Sequence, residues 1–279
     1  MSRPVRIEFP GACYHVSSRG VEGHKVFADT EDRGAFLHVL EGVVDRFGWL
    51  LHSYVLMDDH YHLVVEVPAA NLSKGMRQLN GVYTQHFNRR HESEGPVFQG
   101  RFKSVLFEKA EYLLPLCRHV ALNPVRLGSV SALRNYRWSS HRAMSGDVKS
   151  RDFLFRDDVL AQFGKRTKKS EKKYKTYVRE GVDAESPLNE RTSQVLLGTP
   201  GFLRQMQPML DGEKLAKRGP RRVTRRRSLK SLFKNVDGKT RSERNALIRR
   251  AHLEYAYTLM EIGEHLGLHY TTVSKVVNA

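Results

Sequence analysis

The chain reads as an α+β protein with a small all-α domain at its C-terminal end. Three observations predict this. Short apolar strands alternate with amphipathic helices over the first 125 residues, in the order β-α-β-β-α-β-α. Long single-sign basic runs follow. The last forty residues return to helical periodicity around two glycines. The first pattern is close to a ferredoxin-like, split βαβ arrangement, an antiparallel sheet with helices on one face and the other face open to a ligand. Domains are expected at 1–145, with a helical and basic linker region at 146–240 and a helical domain at 241–279.

The elements follow in order. Ala12 to Ser18 reads as a first strand. Asp29 and Thr30 are N-cap types ahead of Phe36, Leu37, Leu40, Val43, Val44 and Phe47 on helical spacing, and Gly48 ends that helix. Trp49 to Met57 and Tyr61 to Val67 read as strands joined by a tight turn at Asp58-Asp59. Leu72 to His91 reads as a helix with Leu72, Met76, Leu79, Tyr83 and Phe87 on one face. Ser104 to Glu108 reads as a fourth strand. Ala110 to Leu122 reads as a third helix, ending near Asn123-Pro124. Pro115 either kinks that helix or sits in its first turn.

With 279 residues and 40% hydrophobic content, the chain can build a real core. Its 47 Lys+Arg against 30 Asp+Glu leave a formal charge of +17, which draws polyanions, nucleic acid first. High solubility or ribosome association is the bland alternative. There is no long apolar span and no signal-like start, so no membrane partner is expected. Cys13 and Cys117 are too few for a disulfide framework and form no CxxC pair. A reducing, bacterial-type cytoplasm is expected, with the protein associated with the nucleoid.

Lys165, Arg166, Lys168, Lys169, Lys172, Lys173 and Lys175 suggest a solvated helix or linker. Residues 214–230 hold nine Lys/Arg and no acid, around Gly219-Pro220, a pattern suited to salt-sensitive, sequence-independent DNA contact. Arg241 to Tyr255 reads as a helix. Thr258 then caps a helix through Leu266, Gly267 turns the chain, and Thr271 to Val277 forms the next helix. Gly263, Gly267 and Val273 have helix-turn-helix spacing, which would turn His269, Tyr270, Thr271, Thr272, Ser274 and Lys275 toward a major groove. A helical hairpin that binds protein would have the same pattern.

The chemistry-bearing word is His60-Tyr61-His62. Residues i and i+2 of a strand share a face, so both imidazoles project into one space, a ready pair of metal ligands just after Asp58 and Asp59. Two ordinary strand histidines are the plain alternative. Beyond the pair, Arg3 to Ser140 carries an ordered set of words: Phe9-Pro10-Gly11, Tyr14-His15-Val16, Tyr54-Val55-Leu56-Met57, Phe87-Asn88-Arg89-Arg90-His91, Phe98-Gln99-Gly100-Arg101-Phe102-Lys103, Leu122-Asn123-Pro124-Val125-Arg126 and Trp138-Ser139-Ser140. Together they resemble the REP-associated tyrosine transposases and the wider single-strand HUH transposase family. The C-terminal segment resembles the helix-turn-helix carried by some members.

The resemblance implies a mechanism. In that family two histidines and an amide or acid hold a divalent cation, usually magnesium or manganese, which polarises the scissile phosphate of single-stranded or hairpin DNA. A helix-borne tyrosine attacks, leaving a 5′-phosphotyrosine link and a free 3′-hydroxyl. Members work as dimers. Carried over, His60, His62 and Asn123 match the ligands, with zinc left open as the metal. The nucleophile lies four residues before Asn123, where this chain has His119 in place of tyrosine. His119 is open to three readings: a substituted nucleophile, a further ligand or general base, or the mark of a silent descendant that still binds DNA. Tyr112 is two turns away. Arg89, Arg90, Arg101, Lys103 and Arg126 are the expected DNA contacts of the first domain, near Phe87, Phe98 and Phe102, on which bases could stack. The expected function is a DNA nicking and rejoining transposase, against the alternative of a domesticated DNA-binding regulator.

Overall fold

The computed structural model describes residues 6–21, 24–165, 167–192, 194–210, 228–238 and 240–277, except 254, 256 and 258. Its chain divides into two compact units, residues 1–215 and 216–279. In the first unit the elements run β1 (Ala12–Arg19), α1 (Thr30–Phe47), β2 (Leu50–Leu56), β3 (His60–Val67), α2 (Leu72–Arg90), β4 (Lys103–Phe107) and α3 (Lys109–Arg126). Then follow α4 (His141–Met144), α5 (Asp157–Ala161), α6 (Thr167–Arg179), β5 (Leu196–Leu197) and α7 (Pro200–Leu210). The sheet order is β2-β3-β1-β4-β5. Its first four strands pair antiparallel, and the two-residue β5 adds a parallel edge that the sequence pattern did not signal.

The caps explain the first helix. The Asp29 carboxylate accepts from the backbone N–H groups of Glu31 and Asp32, and Gly48 closes the C-terminus at φ 65, a left-handed conformation open to glycine at little cost. Further along, Gly75 lets α2 approach the Trp49 ring, where a Cβ would fall within 2.2 Å.

The expectation of helices on one face is corrected: helices cover both faces. Alternation along β3 sorts them. Tyr61 faces α1 and α2, with its ring 4.7 Å from Phe36 and its hydroxyl donating to Asn80 at 2.6 Å. His60 and His62 face α3, whose Asn123 and His119 lie opposite. The physical reason is in the strands. β1 is buried at six of its first seven residues and β2 at six of seven, so neither face of the central sheet meets water.

The third helix runs past both of its prolines, Pro115 and Pro124, to Arg126. It is therefore longer than Ala110 to Leu122. Leu113, Leu116, Cys117, Val120 and Ala121 are fully buried, and burying each large side chain is worth roughly 1.5–3 kcal/mol. That outweighs the backbone bonds the prolines remove.

The 146–240 stretch, expected as a linker, divides. Phe153, Leu154, Val159, Leu160, Tyr174, Val178 and Met206 join the core of the first unit. α6 is amphipathic: Ser170, Tyr174 and Val178 are buried while Lys168, Lys169, Lys172 and Lys173 are exposed. Arg166 and residues 211–227, with Gly219-Pro220, lie outside the described residues.

The second unit is all helical: α8 (Leu229–Leu232), α9 (Arg241–Leu253), α10 (Leu259–Leu266) and α11 (Tyr270–Val277). Leu232, Phe233, Ile248, Ala251, Ile262 and Val273 form its core. Gly267 sits at φ 65 between α10 and α11, and Gly263 and Val273 are buried, as their spacing predicts. Thr258 and the side chains of Tyr270, Thr271 and Lys275 lie outside the described residues; Thr272 is exposed.

Candidate active site

The site lies where one end of β3 meets the last turns of α3. The two elements run side by side. Lys109 to Asn123 is 14 residues of helix, about 21 Å at 1.5 Å each, and His60 to Glu66 is six residues of strand, about 20 Å at 3.3 Å each. Lys109 thus meets Glu66 at one end, and Asn123 meets His60 at the other.

At the Asn123 end four side chains converge with a fifth. His60 Nε2 stands 3.3 Å from Asn123 Oδ1. The His60 and His62 rings are 5.0 Å apart, and the His119 ring is 6.1 Å from that of His62. His15, on β1, completes the group: its Nε2 lies 3.0 Å from His62 Nδ1, with the two ring planes nearly parallel, 24° apart. Ser17 pairs with His62 in the sheet, so His15 is the diagonal neighbour. His60, His62, Asn123 and His119, which the resemblance assigns to one site, are therefore brought together. His15 and Asp59 are the residues whose part only the fold reveals. The signal for His15 was its period-2 place on the strand that pairs with His60-Tyr61-His62.

The donor set fits a hard or borderline cation. In the neutral ring the His60 Nδ1–H donates to the Asp59 carboxylate at 2.5 Å and Nε2 carries the lone pair. With the Asn123 amide in this orientation, Oδ1 is also an acceptor. Two acceptors facing each other across 3.3 Å need positive charge between or beside them. Asp59 also holds Arg19 at 2.7 Å. Burial alone would raise the Asp59 pKa, but His60 and Arg19 bring it down.

Burial keeps the other imidazoles neutral. His15 is pushed down to about 3 by burial, then by His119 and Arg191. Burial and the neighbouring histidines hold His62 well below its ordinary value. His119 falls to about 4, by burial and then by the Arg126 guanidinium. At its Nδ1, His119 faces Ser186 Oγ at 3.3 Å and Arg126 Nη1 at 3.4 Å. A guanidinium can only donate, so Nδ1 accepts, and the neutral ring carries its proton on Nε2.

Two of the expected DNA contacts have partners within the chain. Arg90 is held by Asp29 at 2.6 Å, Asp32 at 2.8 Å and Glu31 at 3.0 Å, tying α2 to the start of α1. Arg126 donates to the carbonyls of Gly181 at 2.8 Å and Ala184 at 2.5 Å, and so anchors the loop that brings Ser186 to His119. Both guanidiniums meet acceptors of the chain itself, which a sequence pattern does not show. Arg89, Arg101 and Lys103 are exposed. Phe98 and Phe102 are buried, with the Arg6 guanidinium 3.6 Å from the Phe102 ring centre, and so belong to the core rather than a stacking surface. Tyr112 donates to Glu190 at 2.7 Å.

A second polar cluster occupies the other end of the same face. His52, Glu66 and Asp158 place one ligand atom each within 4.8 Å of one another. Lys109 Nζ bonds Glu66 and Asp158 at 2.5 Å each, so an ammonium of the chain already supplies the positive charge there.

Residues 10–115 match the family model described as "Transposase IS200 like". This segment is similar to the IS200-like transposases. The matched residues include His15, His60 and His62; His119 and Asn123 follow them. Among solved structures, "Structure of the REP associates tyrosine transposase bound to a REP hairpin" is similar at 16% identity and TM-score 0.47, over 54% of this chain and 89% of that chain. No curated protein matches. In the matched segment β3 carries the two histidines, and α3, which begins inside the segment and runs past its end, carries Asn123 and His119.

Proposed function

We propose that the chain is a transposase-like DNA strand-cleaving and rejoining protein whose first unit binds single-stranded or hairpin DNA with a divalent cation, magnesium or manganese. The convergence of His60, His62 and Asn123 at the family's motif carries this reading. The cation, when bound, would polarise a phosphate oxygen and relieve negative charge as the phosphorus is attacked. Asp59 orients His60, α3 sets Asn123 and His119 one turn apart on the same face, and exposed Arg89, Arg101 and Lys103 would lie along the phosphates. The α10–α11 pair would read duplex DNA as a helix-turn-helix, through Tyr270, Thr271, Thr272 and Lys275. A homodimer and a place at the nucleoid complete the proposal.

One observation favours a second reading, a DNA-binding regulator that keeps the cation and has lost covalent cleavage. With Nδ1 accepting from Ser186 and Arg126, His119 offers an N–H and no lone pair at Nε2. It is then a hydrogen-bond donor to phosphate rather than a nucleophile. Attack would first require the proton to move to Nδ1 and both bonds to break.

The deciding experiment incubates purified protein with labelled hairpin DNA and Mn²⁺, and reads cleavage and any adduct that survives denaturation. Cleavage by wild type, lost in His60→Ala, supports the enzyme and excludes the regulator. No product from wild type, with product restored by His119→Tyr, establishes the silenced site.

A further inference from the structure

We infer that His15 is the positioning residue for His62, doing for it what Asp59 does for His60. The inference rests on the cation site proposed above.

The two ligand histidines have the same problem and two different solutions. A neutral imidazole has one lone pair, and the nitrogen that binds a cation must be the one without the proton. The tautomer is fixed by what the other nitrogen bonds. For His60 the other nitrogen is Nδ1, and Asp59 accepts from it at 2.5 Å. For His62 it is again Nδ1, and its partner at 3.0 Å is the Nε2 of His15. Exactly one proton can lie between these two nitrogens when both rings are neutral. If it belongs to His62, His62 Nε2 is left with its lone pair on the side of His60 and Asn123.

His15 is built for this task. It is 3% exposed, on the central strand β1, and set diagonally across from His62 by the Ser17–His62 pairing. The two ring planes are nearly parallel, 24° apart with centroids 5.0 Å from each other, and the facing nitrogens stand at hydrogen-bond distance. A carboxylate in that place would bring an uncompensated charge into the sheet interior, at a desolvation cost a neutral imidazole avoids. Asp59 carries its charge at the rim, where Arg19 balances it. The buried ligand thus takes a neutral acceptor and the rim ligand a charged one.

Three proteins test the inference: wild type, His15→Phe, which keeps an aromatic ring and loses the acceptor, and His15→Gln, which restores an acceptor oxygen. The probe is Mn²⁺ alone, titrated by calorimetry and electron paramagnetic resonance, with circular dichroism to check folding. Nitrogen NMR of the Mg²⁺-loaded wild type reads the His62 tautomer. The expected result is an Nδ1–H on His62, a 10- to 100-fold loss of Mn²⁺ affinity in His15→Phe, as is typical when an outer partner of a ligand is removed, and recovery to within a few-fold in His15→Gln. Unchanged affinity in His15→Phe overturns the inference, as does an equal loss in both variants, which would make His15 a packing residue. An unfolded His15→Phe leaves the decision to His15→Gln and the tautomer, and an Nε2–H on His62 overturns it. Wild type that binds no Mn²⁺ sinks the cation site itself, and the role of His15 with it.

Discussion

The two ends of the β3–α3 contact are made from the same elements and solve opposite problems. At one end, His52, Glu66 and Asp158 surround Lys109, and the chain supplies its own cation. At the other, His60 Nε2 and Asn123 Oδ1 face each other, and of the cationic groups nearby Arg19 is held by Asp59 and Arg126 by backbone carbonyls. The first cluster is closed by an ammonium of the chain; the second is the one proposed to take a cation. The difference teaches how to sort polar clusters: a group of ligand-type side chains is a cation site only where its charges and lone pairs are left without a partner of the chain's own.

The largest expected effect breaks the open end. His60→Ala should weaken Mn²⁺ binding by at least about a hundredfold, near or beyond the upper limit for outer partners, while leaving the melting temperature within a few degrees; calorimetry and a thermal melt check both. Next, Lys109→Met should strip the closed end of its ammonium. Removing one partner of a buried pair costs roughly 3–5 kcal/mol, and partial exposure of Lys109 brings this to about 2 kcal/mol, or a drop of about 4–8 °C for a domain of this size. Added Zn²⁺ should restore part of that loss in the variant and none in wild type; no effect of Zn²⁺ would show that the three ligands cannot close on an ion.

Smaller effects sharpen the comparison. Asp59→Asn keeps a hydrogen-bond acceptor for His60 but loses the charge, and should reduce Mn²⁺ affinity about tenfold. The smallest concerns pH. His52 and then Lys109 bring the Glu66 carboxyl down from 4.5 to about 2, against the effect of burial. A carboxyl depressed in the folded state binds fewer protons there than when unfolded. Its contribution is therefore full above about pH 4.5 and is lost as pH falls toward 2. Denaturant titrations should show Glu66→Gln flattening the acid side of the stability profile in that window, and a slope equal to that of wild type would remove Glu66 from the account.

Much of this was legible in the sequence because it is local. Asp29, Gly48 and Gly267 announce caps and turns by their own conformational preferences. His60 and His62 share a face because strand geometry alternates, and His119 and Asn123 share one because a helix repeats. What failed was non-local. α3 passes through Pro115 and Pro124 because its buried face outweighs two lost bonds. Helices cover both faces because the central strands are apolar on both. That Asp29 and Asp32 hold Arg90, and the Gly181 and Ala184 carbonyls hold Arg126, shows only in the packing.

By itself, then, the sequence determined β1–β4 and α1–α3 of the first unit, the helices of the second and the shared face of the histidine pair, and its resemblance pointed to Asn123. Tertiary structure alone decided that His15 stands behind His62, that Ser186 and Arg126 fix the proton of His119, and that Lys109 closes the other cluster. The reason is range: spacing along one element determines which side chains share a face, but His62, His119 and Lys109 each find a partner 43 to 67 positions away, in His15, Ser186 and Glu66, which only packing brings within 3.5 Å.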